Sequence, residues 1–307
     1  MKTLLLIGLL AATALPDSLR AQVYPEPIHP IADADSLPQA KQAKAARLWA
    51  VGSSSLLTLG ATYVYLERTW WNGRGIPFHV DGGRDRTYAS GLDKVAHFAG
   101  GVFISDTYYN AFRWAGMTQH KAAWLALGSA AFVQWSIELK DAYSPTYGFS
   151  WRDVAAGTIG GFWPMVRNQS RFLNDAQWKA GYWQRTPKYF MERGIPVQRL
   201  SIDDYLNQTY WLSFSPEHFG STRWQRAWPD WLQISVGMGL EAETWSLQHD
   251  GLGGRHEWYL APDVNLVKLF KPRSAAAKLV VGLLKYVKIP APTLQIGPKV
   301  RWHWLFF

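Results

Sequence analysis

The stretch GLDKVAHFAGG, Gly91 to Gly101, sets an acid, a base and an imidazole directly ahead of a small apolar run. Asp93 and His97 are four residues apart, so on a helix they share one face. Ser90, three residues before Asp93, completes an S-x-x-D helix-start pattern, and the apolar run predicts a helix over Val95 to Met117. Two later stretches set charges against small residues in the same way. IELKDAY, Ile137 to Tyr143, closes a helix expected over Ala122 to Ile137, and FSWRDVAAGTIGG, Phe149 to Gly161, opens one over Val154 to Val166.

The link between the first two of these helices, Gly116 to Lys121, is too short for anything but an antiparallel pair. The start of one helix, the end of the next and the start of the third therefore lie at one end of a bundle. That end gathers Asp93, Lys94, His97, Glu138, Lys140, Asp141, Arg152 and Asp153. So many charges on an apolar support are expensive to desolvate unless they pair with one another or with a ligand. His97, Glu138, Asp93 and Asp141 are the candidates for acid–base chemistry, and Lys94, Lys140, Arg152 and Asp153 for holding a polar or phosphorylated ligand.

Each residue also has a plainer role. Asp93 and Asp153 suit helix starts, Lys140 suits a helix end, and a lone His97 suits a core. Glu138, after the apolar AAFVQWSI, has the fewest structural reasons to be where it is. His97 with Glu138 and Asp141 would make an adequate divalent-ion set, but no H-E-x-x-H or similar tight spacing supports it, so no metal is assigned. Without a nucleophile elbow, P-loop or dinucleotide fingerprint, no cofactor and no reaction follow.

The rest of the chain points to an envelope. The start, MKTLLLIGLLAATALPDSLRAQ, has the layout of a secretory signal cleaved after Ala21, and the prolines between residues 22 and 40 predict a linker. Leu48 to Leu66 is a run of nineteen residues without a charge, bounded by Arg47 and by Glu67, Arg68, Trp70 and Trp71, and is expected to span hydrocarbon. With 18 Trp and 14 Tyr the chain is rich in rings that suit membrane interfaces. The paired glycines 100 and 101 and the G-x-x-x-G of Gly157 and Gly161 suit closely packed helices. A net charge of +9 is compatible with anionic lipid as partner, while export argues against nucleic acid. No cysteine is present to form a disulfide or to carry a lipid.

Beyond Arg171 helical spacing gives way to alternation. In DWLQISVGMGLEAE, Leu232, Ile234, Val236, Met238 and Leu240 fall on one face and Gln233, Ser235, Gly237, Gly239 and Glu241 on the other. Further strands are expected at Thr209 to Phe214, Trp258 to Val267 and Leu294 to Phe307. Val280 to Val287 reads as a strand or as part of a helix over Ala275 to Tyr286. Four or five strands are too few for an outer-membrane barrel, which needs about eight. The expected fold is therefore mainly α: a membrane-associated bundle of about four helices with small-residue packing, then a small antiparallel β-sheet. The divisions are residues 1–21 (signal), 22–47 (linker), 48–171 (bundle) and 172–307 (Trp-rich region).

DKVAHF followed by IELKDAYSPTYGFSWRDVAAGTIGG resembles the DK-x-x-HF … KE-x-WD … G-x-SW-x-D pattern of the predicted periplasmic lipoproteins typified by YfiM. YLNQTYWLS, WPDWLQISVGMG and KIPAPT extend the likeness to a longer, Bacteroidetes-type branch. The helical part is more distantly similar to VanZ-like membrane proteins, although Gly157 and Thr158 stand where that group usually has Asn. The resemblance implies a cell-envelope, periplasm-facing protein with a polar rim at Asp93, Lys94, His97, Glu138, Asp141 and Asp153, and supplies no reaction. The expected functions are binding of a polar or phosphorylated lipid-linked group, hydrolase or transferase action on such a lipid, or service as an envelope scaffold that docks a protein partner.

Overall fold

A computed structural model describes residues 38–69, 71, 75–194, 196–197, 201–219, 221–244 and 254–307. The signal and most of the linker read from the sequence lie outside the described residues. The chain is already helical at Pro38, and helix α1 runs Pro38–Thr69. After a loop come α2 (Leu92–Trp114), α3 (Gln119–Asp141) and α4 (Trp151–Gly161). The Thr118 hydroxyl accepts from the Lys121 N–H and starts α3, which returns antiparallel to α2.

The α2–α4 crossing is set by glycine. A Cβ added to Gly101 would lie 1.9 Å from the Gly157 carbonyl oxygen, and one added to Gly160 would lie 2.0 Å from the Phe98 carbonyl oxygen. The two backbones thus touch without side chains between them.

Short helices at Trp163–Arg167 and Arg171–Asp175 lead into a meander of six antiparallel strands ordered β1 to β6. These are β1 (Gln177–Tyr182), β2 (Gln208–Phe214), β3 (Leu232–Leu240), β4 (His256–Val264), β5 (Ala291–Gly297) and β6 (Arg301–Phe306). Helix α5 (Ala275–Leu284) joins β4 to β5.

The sheet is strongly rolled. Thr209 on β2 donates its hydroxyl to the Phe307 carbonyl at 2.7 Å, although four strand spacings of a flat sheet would separate them by about 19 Å. The Trp183 and Phe307 rings stack at 5.0 Å, and the outer edge of β1 is met by Tyr286–Lys288, with Ala180 N–H donating to the Tyr286 carbonyl at 2.8 Å. Trp211, Tyr259, Ala261 and Phe306, from β2, β4 and β6, meet inside the roll.

This architecture corrects the expected membrane bundle with a small sheet. Among the described residues no helix is long and apolar enough to cross a membrane. The reason in α1 is local: Ser53, Ser54, Ser55, Thr58 and the glycines at 52 and 60 dilute an uncharged run that the absence of charge alone made look like a span. The strand tally fell short for two reasons. Leu294 to Phe307 is two strands, broken by the turn Pro298 to Val300, and β1 escaped notice because Lys179 interrupts its apolar residues. Val280 to Leu284 is helical.

The helical part and the rolled sheet share a core. Leu92 on α2 and its neighbours Val95, Ala96 and Ala99 pack on Tyr189, Phe190, Leu206, Tyr210 and Leu240, and the Phe98 ring meets Trp178 edge to face at 4.9 Å. Asp106 on α2 binds Arg167 at 2.8 Å, Lys285 at 2.5 Å and the Tyr286 hydroxyl at 2.5 Å. That buried carboxylate pins the segment after α5 to the bundle.

Candidate functional site

Ser150 organises the site at the mouth of the helical unit. Its hydroxyl accepts from the Asp153 N–H at 3.1 Å, which starts α4, and donates to Asp85 Oδ2 at 2.7 Å. The Ser150 N–H donates to Glu138 Oε2 at 3.0 Å. In a capping box the acid three residues on would accept that N–H. Here Glu138 of α3 accepts it, which leaves the Asp153 carboxylate to turn toward α2. The parallel pattern at Ser90 is no cap at all: its hydroxyl donates to the Gly254 carbonyl, and Gly91, at a φ of 81°, occupies the helix start instead.

Lys94 is surrounded by acids. Its ammonium pairs with Asp85, with Asp93 at 2.6 Å and with Asp153 at 2.7 Å. His97 Nε2 lies 3.8 Å from Glu138 Oε1 and 3.9 Å from Asp153 Oδ1. On the other side of the ring, Nδ1 is 2.8 Å from Gln134 Oε1, while the Gln134 amide nitrogen donates to the His97 carbonyl at 3.5 Å. That second bond fixes which end of the amide faces the ring. Oε1 accepts, so Nδ1 donates, and Nε2 is turned toward two carboxylates. Gly157 makes room for this arrangement, since a Cβ there would lie 2.3 Å from Gln134 Cγ and Cδ.

The electrostatics follow from burial. Glu138 is 2% exposed, and burial with the nearby Asp153 charge pushes its carboxyl up to about 9. Burial and Asp153 likewise push Asp93 up to about 9, and burial lowers the Lys94 ammonium from its ordinary range. Asp85, Asp93 and Asp153 thus share one lysine with Glu138 buried nearby, and the excess negative charge is relieved by protons or by a cation.

Of the residues singled out in the sequence, Asp93, Lys94, His97, Glu138 and Asp153 come together, and three do not. Asp141 accepts the Trp71 indole N–H at 2.5 Å in an adjoining layer, and burial pushes its carboxyl up to about 7. Lys140 pairs with Glu67 at 2.9 Å beside the Tyr63 and Trp71 rings, away from the site. Arg152 is largely exposed and stands at the edge of the site, 4.0 Å from Asp85. Asp85, Gln134 and Ser150 are the members the sequence reading left unassigned. Gln134 had a signal, since it stands one turn before Glu138 on the same face; Asp85 had none, arriving from a loop held by Asp81.

The chemistry available is that of a cation site. Nε2 of His97 and one oxygen each of Glu138 and Asp153 lie within 4.8 Å of one another, as do oxygens of Asp85, Asp93 and Asp153. Ligand atoms bonded to one first-row ion at about 2.1 Å stand about 3.2–3.4 Å apart, so modest rotation of two carboxylates suffices. Of the cations expected to hold a phosphate, Lys94 is paired with three acids, Lys140 is paired with Glu67, and Arg152 stands at the edge beside Asp85.

Comparison with curated proteins and with solved structures returns no match. Residues 83–169, which hold every member of this constellation, match the model of a family described as "Predicted periplasmic lipoprotein (DUF2279)", in agreement with a periplasm-facing place in the cell envelope.

Proposed function

We propose that this chain is an envelope protein that binds a divalent first-row metal ion through His97 Nε2, Glu138 and Asp153, with Gln134 as the group that orients the imidazole. The observation that carries the reading is the orientation of the imidazole. With Nδ1–H committed to Gln134 Oε1, the ring turns Nε2 toward two carboxylates, and a cation fits between that nitrogen and the carboxylate oxygens. Because burial raises the Glu138 carboxyl, a metal ion bound there competes with a proton. One nitrogen and two carboxylate oxygens suit zinc or manganese. The Lys94 ammonium then keeps Asp85 and Asp93 and yields its hold on Asp153 Oδ1.

Calorimetric titration of the metal-stripped full chain with zinc and with manganese tests this. The expected result is one ion per chain, with a heat that depends on the buffer because a proton is released. Both His97→Ala and Glu138→Gln should abolish binding in protein whose circular dichroism is unchanged. Folded wild-type protein that takes up neither ion, or that loses no affinity on either substitution, overturns the proposal.

A further inference from the structure

The rolled sheet is inside out with respect to water. On β3 the residues facing the interior are Gln233, Ser235, Gly237 and Gly239, and on β4 they are Glu257, Tyr259, Ala261 and Asp263. Most of the charged and polar groups inside are paired, although Gln233 Oε1 has no partner among the described residues. Lys179 binds Asp263 at 3.0 Å and the Val264 carbonyl at 2.8 Å, Arg185 binds Glu257 at 2.5 Å, and Lys288 donates to the Pro262 and Ile289 carbonyls at 3.1 Å each.

Apart from the Trp211, Tyr259, Ala261 and Phe306 cluster inside, the apolar residues lie on the other side. Register puts Leu212, Val236, Leu260, Leu294 and Trp302 in one row across five strands. At its β1–β2 end this outer face is covered by α2, through Trp178 and Tyr210. Toward β6 it is bare: Val236 is 40% exposed, Ile296 53%, Trp302 53% and Trp304 81%.

In water such alternation runs the other way, apolar residues inward. Apolar outward and polar inward is the ordering of a sheet whose solvent is lipid. β3 and β4, at nine residues, only just reach the nine to eleven that cross a bilayer, and β5 and β6, at seven and six, do not, so the contact is with one leaflet. Charge agrees. Exposed Lys299 and Arg301 stand beside Trp302 on the β5–β6 hairpin, and the chain carries +9 overall, which complements anionic headgroups.

From these observations we infer that the outer face of β3 to β6, with Trp302 and Trp304 at its centre, seats the protein on an anionic lipid leaflet. The inference is independent of the metal site.

Co-sedimentation of the full chain with sucrose-loaded vesicles of pure phosphatidylcholine, and of phosphatidylcholine with one quarter phosphatidylglycerol, tests it. Wild-type protein should pellet with the mixed vesicles at least tenfold more tightly than Trp302→Gln/Trp304→Gln, whose substitutions are on the surface. Lys299→Glu/Arg301→Glu should lose only the preference for phosphatidylglycerol. A nitroxide on Ile296→Cys, in this cysteine-free chain, should gain contact with dissolved oxygen when vesicles are added, and one on Lys121→Cys should not. The idea is overturned by wild-type protein that stays in the supernatant with both vesicles, or by a tryptophan variant that pellets like wild type. Binding lost on Leu279→Gln/Leu283→Gln in α5 while the tryptophan variant binds normally also overturns it.

Discussion

Replacing one glycine at a time by alanine separates what the helix crossing does for stability from what it does for the site. A methyl on Gly101 would meet the Gly157 carbonyl oxygen at 1.9 Å and its carbon at 2.8 Å. Ordinary contact begins near 3.4 Å and the obstacle is backbone, so α2 and α4 must part by about 1.5 Å. Overpacking of that kind costs about 3 kcal/mol, against a gain of about 1 kcal/mol for alanine over glycine inside a helix, so Gly101→Ala should lose about 2 kcal/mol. Gly128, on an exposed face of α3, has nothing within 4 Å of its virtual Cβ, and Gly128→Ala should gain up to about 1 kcal/mol. At Gly157 the obstacle is the Gln134 side chain, which can swing away. Gly157→Ala should therefore cost less stability than Gly101→Ala, yet release His97 Nδ1 and weaken zinc binding about 10- to 100-fold. Urea unfolding followed by tryptophan fluorescence gives the stabilities, and calorimetry the affinities. A Gly101→Ala protein as stable as Gly128→Ala would refute the backbone contact, and Gly157→Ala binding zinc like wild type would refute the orienting role of Gln134.

Gln134→Ala should keep the fold and lose zinc affinity about 10- to 100-fold, read by calorimetry alongside a urea curve. Asp106→Asn leaves Arg167 and Lys285 buried without their carboxylate and should cost about 3–5 kcal/mol, read as a lower urea midpoint. Burial, with the charge of Lys179, pushes the Lys288 ammonium down to about 8 from an ordinary 10.5, against the pull of Asp263. The folded chain therefore binds fewer protons than the unfolded chain between those values, and stability due to this group rises as pH increases from about 8 to about 10.5, by on the order of 3 kcal/mol. The stability of wild type relative to Lys288→Met, measured in urea at pH 7.5 and pH 10, should increase; a constant difference would contradict the buried ammonium.

The helical half of the site was legible because it is local. Four-residue spacing places Asp93 with His97 and Gln134 with Glu138, and a short link makes α2 and α3 antiparallel, so three helix ends had to meet. What spacing could not tell is which side of a helix end each charge takes. Glu138 and Asp141 are nearly one turn apart, yet one faces Ser150 and the other the Trp71 indole, a choice made by what packs against α3. The capping pattern at Ser150 was readable as a helix start, but the release of Asp153 depended on an N–H taken by a residue twelve positions earlier.

The sequence by itself determined the period of α2 to α4 and of β3, the antiparallel order of α2 and α3, and an apolar face on β3. Period carries no sign: alternation says that two faces differ, not which one turns inward. That was decided only when the sheet rolled, bringing Phe307 to Thr209 and enclosing Lys179, Asp263 and Lys288 where they satisfy one another. The same limit made α1 look like a span, because absence of charge is visible in a sequence while the surroundings that make a helix worth burying are supplied by the rest of the fold.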